Sequence, residues 1–387
     1  MSHLIELLQG RRRAESLTVQ SAMRLLGGLG KLYGLLMQQR AQLYKEGWLS
    51  VYHPPCPVVS VGNLSAGGTG KTPMVLWLAQ QLLPLVKELA IISRGYGSTA
   101  TRQEGIPSGI SLVADAQGIH LHPPQAADEA TLLAHSLPQV AILTGKERRL
   151  LIEYAYRQLG SRMLLLDDAF QHLRVHRDLN LVLLDAQLPF GNGAILPGGI
   201  LREAPQALQR ADALIVTRCR DQALFHQAQQ QLRPFADDKP ILCCDHRPLA
   251  WQQPGVASSQ PLDLLRHTPV LAFCGIARPD SFAQLLQESG CKPLALRSFP
   301  DHYPFTQQTL QALQQQGQRM QAQALVCTEK DASKINPAWL NAQNKALPLF
   351  ALRMELHWPE QPLWLLKQLH TLSERLTPPD GALRPPT

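Results

Sequence analysis

Pro57-Val58-Val59-Ser60-Val61-Gly62-Asn63-Leu64-Ser65-Ala66-Gly67-Gly68-Thr69-Gly70-Lys71-Thr72-Pro73 is the stretch from which the rest of the chain is read. Its first five residues form a short apolar run with adjacent valines, the signature of a buried strand. A glycine-rich turn follows. Beyond it Met74, Val75, Leu78, Leu82 and Leu85 recur at three- and four-residue spacing, which predicts a helix. Strand, turn closing on Gly-Lys-Thr, then helix is the order of a phosphate-binding P-loop. Glycines let backbone N–H groups converge on an anion, and the helix N-terminus adds its dipole. Gly67, Gly68, Thr69, Gly70, Lys71 and Thr72 are therefore the expected nucleotide contacts, with Lys71 on the β- and γ-phosphates and the Thr72 hydroxyl on Mg²⁺. Pro73 suits a first helical turn, where a missing N–H costs nothing. Ser65 departs from the strict pattern, which has glycine there.

Working outward, apolar strands alternate with helices. Leu89–Ile92, Val140–Leu143, Met163–Leu166, Leu181–Leu184 and Ala213–Val216 read as buried strands, and residues 128–133 and 146–158 as helices. That alternation predicts a parallel sheet covered on both faces, with ligands at the carboxyl ends of its strands. Residues 98–125 read as a long loop with short strands. The segment 247–268, with three prolines and little periodicity, reads as a linker or surface loop. A second α/β unit follows, with strands at 270–274, 324–328 and 347–352 and a helix at 281–288. The glutamine-rich stretches 227–231 and 307–323 keep apolar spacing and read as solvated helix faces. The tail 377–387, with four prolines, reads as disordered.

The expected fold is thus α/β: a P-loop NTPase-like parallel-sheet domain over 47–240, a second, smaller α/β domain over 241–376, and an N-terminal amphipathic region over 1–46. At 387 residues the chain holds about two to three domains. Seven cysteines scattered without C-x-x-C spacing read as free thiols of a reducing compartment, not a disulfide framework or zinc site. Of the net charge of +7, the first fifty residues carry seven basic side chains, including Arg11, Arg12 and Arg13, against three acidic ones. Residues 17–44 read as a helix, kinked at Gly27-Gly28 and Gly30. One stripe holds Val19, Met23, Leu26, Tyr33, Met37 and Tyr44; its neighbour holds Leu25, Leu29, Leu32, Leu36 and Leu43. Charges interrupt every would-be span of 18 residues, so neither a transmembrane helix nor a signal peptide is expected. The helix either lies on an anionic membrane surface or packs on the protein itself. No nucleic-acid motif accompanies the basic charge, and no obligate protein partner is evident.

Five groups of residues carry chemistry. Asp167-Asp168 ends an apolar strand at the Walker-B position, where a carboxylate reaches the metal; Gln171 and His172 follow beside the γ-phosphate. Arg94, Arg148 and Arg202 are the cations available to offset phosphoryl charge. The glycine-dense segment 191–203 lies beside a strand end, as a backbone that closely approaches a ligand does. Asp128-Glu129 starts a helix and Asp301-His302-Tyr303-Pro304-Phe305 lies in the second unit. A kinase needs a base near its acceptor hydroxyl, and an Asp oriented by a His can serve, although spacing alone does not pair these two.

Taken together, Gly62-Asn63 through Pro73, Ser93-Arg94-Gly95-Tyr96-Gly97, Asp128-Glu129, Asp167-Asp168-Ala169-Phe170-Gln171-His172, Phe190-Gly191-Asn192-Gly193, Leu196-Pro197, Leu201-Arg202-Glu203, Asp301 to Phe305 and Thr328-Glu329-Lys330-Asp331-Ala332 resemble the tetraacyldisaccharide 4'-kinases (lipid A 4'-kinases) of Gram-negative bacteria, in order, from about residue 20 to 352. That family shares the departure at Ser65. Ala169 differs, since the family usually has glycine there. The resemblance implies ATP and Mg²⁺ held by Thr69, Lys71, Thr72 and Asp167 or Asp168. It implies Asp128, assisted by His302, as the base for the 4'-hydroxyl of a lipid A disaccharide 1-phosphate, and Arg148 and Arg202 on phosphate charge. Tyr96 would contact the sugar, with Arg94, Glu129, Gln171, His172 and Glu203 completing the substrate site. It also implies peripheral attachment to the cytoplasmic face of the bacterial inner membrane. The competing expectation is a membrane-associated P-loop ATPase or GTPase switch with no small-molecule acceptor.

Overall fold

The computed structural model describes Leu8 and residues 17–96, 98–99, 102–256, 258–340 and 346–376. The arginines at 11–13, Gly97 and the 377–387 tail lie outside the described residues. A long helix, α1 (Leu17–Lys45), comes first. It runs unbroken through Gly27, Gly28 and Gly30, where a kink was expected. Gly30 is instead a point of close approach: a Cβ there would collide with the carbonyl oxygen of Ile195.

β1 (Val58–Asn63), buried along its whole length, leads through the glycine-rich turn into α2 (Lys71–Leu82). β2 (Leu89–Ser93) follows, then a short hairpin of β3 (Ser111–Asp115) and β4 (Gly118–Ile119). Next come α3 (Asp128–Ser136), β5 (Ala141–Thr144), α4 (Arg148–Gln158), β6 (Met163–Asp167) and β7 (Leu179–Asp185). β8 (Ala213–Thr217), α5 (Gln222–Ala236) and β9 (Ile241–Cys243) complete a nine-stranded sheet of order β4-β3-β5-β2-β6-β1-β7-β8-β9. Its strands are parallel except at the β3–β4 edge. β1 lies between β6 and β7, so the turn after β1 opens beside Asp167 and Asp185. Near-continuous Val, Ile and Leu in β1, β2, β6 and β7 reflect burial on both faces.

The chain leaves this sheet at Cys244. β10 (Asp245–Gln252) and β11 (Ser259–Gln260) open a second sheet, joined by β12 (Pro269–Cys274), α6 (Pro279–Glu288), β13 (Lys292–Ser298), α7 (Gln307–Arg319), β14 (Ala324–Thr328), the single turn α8 (Glu329–Ala332) and β15 (Leu349–His357). Its order is β11-β10-β15-β14-β12-β13. The linker reading of 247–268 is therefore overturned. Residues 245–252 pair antiparallel with β15, the register slips between Pro248 and Ala250 at a bulge, and Trp251 is fully buried with its Nε1 donating to the Leu262 carbonyl at 3.1 Å. A proline at a bulge withdraws no ladder hydrogen bond, so it can sit inside a strand. The final helix, α9 (Leu363–Glu374), returns to the first sheet, where Leu365, Leu369 and Leu372 join the core that α2 covers. All seven cysteines are free thiols.

Candidate active site

The glycine-rich turn after β1 is held from several directions. Gly70, at φ +84°, turns the chain into α2, a conformation that glycine adopts without penalty. Asn63 donates its amide to the carbonyls of Ser65 (2.7 Å) and Gly67 (3.3 Å), Arg218 to that of Gly68 (2.7 Å), and the Thr217 hydroxyl to that of Thr69 (2.9 Å). With those carbonyls engaged outward, the loop can present N–H groups inward. The Thr69 hydroxyl is buried and has no partner among the described residues.

The two carboxylates at the end of β6 differ sharply. Asp168 Oδ1 receives Arg202 at 2.9 Å and Lys71 at 3.5 Å. Burial raises its pKa, but those two cations outweigh it and hold the carboxyl below its usual range. Asp167 is buried, and its Oδ1 has no partner among the described residues. Desolvation pushes its pKa up to about 6, with Lys71 opposing and Asp168 adding to the rise. An orphaned carboxylate oxygen beside this glycine-rich turn fits a cation ligand. Arg148 is buried behind the pair, donating to the carbonyls of Gly145 (2.9 Å) and Asp167 (3.2 Å), and burial pulls its pKa down to about 10. Gln171 ties the group to β1 through the Asn63 carbonyl at 2.9 Å and receives Arg202 at 3.4 Å. Ala169 packs into the apolar core behind the pair, so its extra methyl is accommodated there.

The second cluster spans the two sheets. Asp128, at the start of α3, has its Oδ2 3.0 Å from His302 Nδ1 and 3.2 Å from Lys334 Nζ. Glu129 pairs with Lys330 at 3.0 Å; burial raises the Glu129 pKa, but Lys330 outweighs it and the net shift is downward. Lys330 also approaches His302 Nε2 (3.4 Å) and Asp301 (3.7 Å). A further link runs from Asp185 at the end of β7 to Arg218 (2.5 Å) and to Arg278 (2.6 Å) ahead of α6.

Not every expected residue converges. Arg94 and Tyr96 are exposed, Tyr96 at 79%. Glu203 is buried and spends both oxygens on Arg210 at 2.9 Å, whose guanidinium lies over the Phe170 ring. It therefore braces the site from behind. His172 sits in a cationic setting, where burial first, then Arg148, Arg177 and Arg174, pull its pKa to about 4. Sequence reasoning missed Asp185, Arg218, Arg278 and Lys334. The Thr328–Ala332 motif was visible, but its relation to Asp128 depends on the meeting of the two sheets.

A parallel α/β sheet with a glycine-rich turn at its strand ends, two acids and three cations beside it, and an Asp–His pair that joins the two sheets defines a nucleotide-using phosphotransferase. More specifically, the chain belongs to the tetraacyldisaccharide-1-P 4'-kinase family, whose sequence model matches residues 22–371. It is 38% identical over 337 residues to the tetraacyldisaccharide 4'-kinase of Desulfatibacillum aliphaticivorans, covering 85% of this chain and 87% of that protein. With the Desulfotalea psychrophila protein of the same name it shares 37% identity, covering 84% and 90%. A solved structure of Aquifex aeolicus LpxK, described as an apo form in complex with ATP, superposes with a TM-score of 0.71 at 29% identity, covering 91% of this chain and 99% of that one.

Proposed function

We infer that this chain is an ATP-dependent kinase that transfers the γ-phosphate to the 4'-hydroxyl of a tetraacylated glucosamine disaccharide 1-phosphate, a lipid A precursor, forming lipid IVA. The observation that supports the mechanism is the Asp128–His302 contact, which joins a carboxylate from the helix ahead of β5 to an imidazole from the second sheet's side. Asp128 takes the hydroxyl proton as the 4'-oxygen bonds to the γ-phosphorus; the bond to the β-phosphate oxygen breaks and ADP leaves. His302 orients Asp128. Lys71, Arg148 and Arg202 offset the charge of the phosphoryl group in flight. Gly67 to Thr72 cradle the phosphates. Mg²⁺ would be held by Thr72 and Asp167, whose Oδ1 is unpaired, and would neutralise phosphate charge; Asp168 instead fixes Lys71 and Arg202. Arg94, Tyr96, Gln171 and His172 contact the sugar, while Glu129 holds Lys330 and Glu203 holds Arg210.

Residues 47–240 act as the nucleotide-binding domain and 241–376 as the domain that brings His302 to the acceptor. α1 is the attachment to the cytoplasmic face of the inner membrane. No helix among the described residues is long and apolar enough to cross a membrane. α1 does leave Leu25, Leu29, Leu32, Leu35 and Leu36 exposed, with Leu25 at 69%. Such a leucine face on a long helix, with Arg24 and Lys31 beside it, suits an anionic lipid surface and an acylated substrate.

Turnover of Mg-ATP with and without disaccharide 1-phosphate separates this reading from a switch ATPase. Slow hydrolysis replaced by stoichiometric lipid phosphorylation when acceptor is added is the expected result. Steady phosphate release indifferent to acceptor would favour the switch.

A further inference from the structure

We propose that Lys334, locked between Asp128 and Asp331, is a positioning residue that keeps one oxygen of Asp128 occupied and leaves the other to the acceptor hydroxyl. The proposal rests on Asp128 being the base and adds the group that aims it.

The Lys334 side chain is only 4% exposed, and the Asp331 side chain is fully buried. An ammonium has three protons to give, and all three have acceptors: Asp128 Oδ2 at 3.2 Å, Asp331 Oδ1 at 3.1 Å and the Tyr303 carbonyl at 3.4 Å. None is left for a phosphate or a sugar, so Lys334 acts on the reaction through Asp128. His302 Nδ1 meets the same Oδ2 at 3.0 Å, and among the described residues Oδ1 accepts no hydrogen bond. The two donors therefore fix the carboxylate plane from one side.

Asp331 anchors the lysine in turn. Its Oδ2 accepts from the Thr328 hydroxyl (2.7 Å) and the Gly275 N–H (3.0 Å), and the His302 N–H donates to the Gly275 carbonyl at 3.3 Å. The Thr328–Asp331 turn thus ties the end of β14, the turn after β12, the His302 loop and Asp128 into one bonded set. A buried lysine and aspartate are costly to desolvate and hold only when fully paired; here the pairing is completed by the proposed base of the opposite sheet.

The groups facing Asp128 are His302 and Lys334 directly, with Lys330, Glu129, Asp301 and Asp331 around them. Removing Lys334 leaves His302 as the one direct side-chain partner of Asp128 Oδ2 among the described residues and frees the carboxylate to turn.

The test is kcat and KM for wild type, Lys334→Met, Lys334→Arg, Asp128→Asn and the Asp128→Asn/Lys334→Met double variant, with Lys334→Met/Asp331→Asn included so that no buried aspartate is left unpaired if Lys334→Met alone fails to fold. Expected for Lys334→Met, or for its Asp331→Asn partner, is a loss in kcat on the order of 10- to 100-fold. ATP KM stays within about twofold, and Lys334→Arg recovers part of the rate. In the Asp128→Asn background, loss of Lys334 costs nothing further. An equal loss with and without the Asp128 carboxylate overturns the proposal. Full kcat in Asp128→Asn overturns the base assignment itself and is read from a separate variant.

Discussion

His302 Nδ1 lies 3.0 Å from Asp128 Oδ2 although 174 positions separate the two residues along the chain. The contact exists only when both sheets are folded and apposed, so it reports assembly of the whole site. Asp128→Asn keeps the shape but cannot accept the proton, and is expected to lower kcat by about 10²- to 10⁴-fold with ATP KM little changed. His302→Ala leaves the base but frees its orientation, and its loss is expected to be smaller. Steady-state kinetics with both substrates varied checks the ranking.

Asp167 makes the nucleotide-free protein respond to pH. Its folded pKa is raised to about 6, above the value of an unfolded aspartate, chiefly by burial. Below about pH 4 the group is protonated in both states and contributes nothing. Between about pH 4 and 6 the unfolded chain ionises first, so this group's contribution to stability falls as pH rises, and above that window the cost is constant. Asp167→Asn removes that cost. The stability gap between the variant and wild type is expected to be on the order of 3 kcal/mol at pH 7 and to vanish near pH 4. Urea titrations of both proteins at several pH values measure it.

Trp251 tests the assignment of 245–252 to a sheet. As a fully buried indole between β10 and its neighbours, it is expected to cost about 3–5 kcal/mol when replaced by alanine. A linker residue would cost well under about 1 kcal/mol. Chemical denaturation followed by circular dichroism distinguishes the two.

The exposed leucines of α1 are expected to govern lipid binding and not folding. Each contributes about 1.5 kcal/mol of apolar burial, so Leu29→Gln with Leu32→Gln lowers partition onto anionic vesicles about a hundredfold. Melting temperature in detergent-free buffer stays unchanged. Vesicle co-sedimentation and calorimetry together supply both readouts.

What was legible in the sequence follows from burial on both faces. β1, β2, β6, β7 and β8 are near-continuous apolar runs because helices cover the sheet on either side, and their ends carry Asp167, Asp168 and the glycine-rich turn. β10 was illegible because Asp245, His246, Arg247 and Pro248 carry no strand period of their own; cross-strand pairing with β15 makes them a strand. β13 alternates exposed and partly buried positions around Lys292 and Arg297 at a sheet edge, too weak a pattern to read. The pairing of Asp128 with His302 came from the family resemblance. Lys334 lies two residues past the recognisable Thr328–Ala332 motif, and nothing local marks it. Its meaning arises from where α3 of the other sheet arrives.

Phosphoryl transfer to the 4'-hydroxyl is measured most directly by supplying γ-labelled Mg-ATP and disaccharide 1-phosphate in detergent, with Asp128→Ala run alongside. Label recovered in the lipid, located at the 4'-position by phosphorus NMR, and lost in the variant is the result predicted. Label released only as free phosphate, with none in the lipid at any acceptor concentration, would contradict the account.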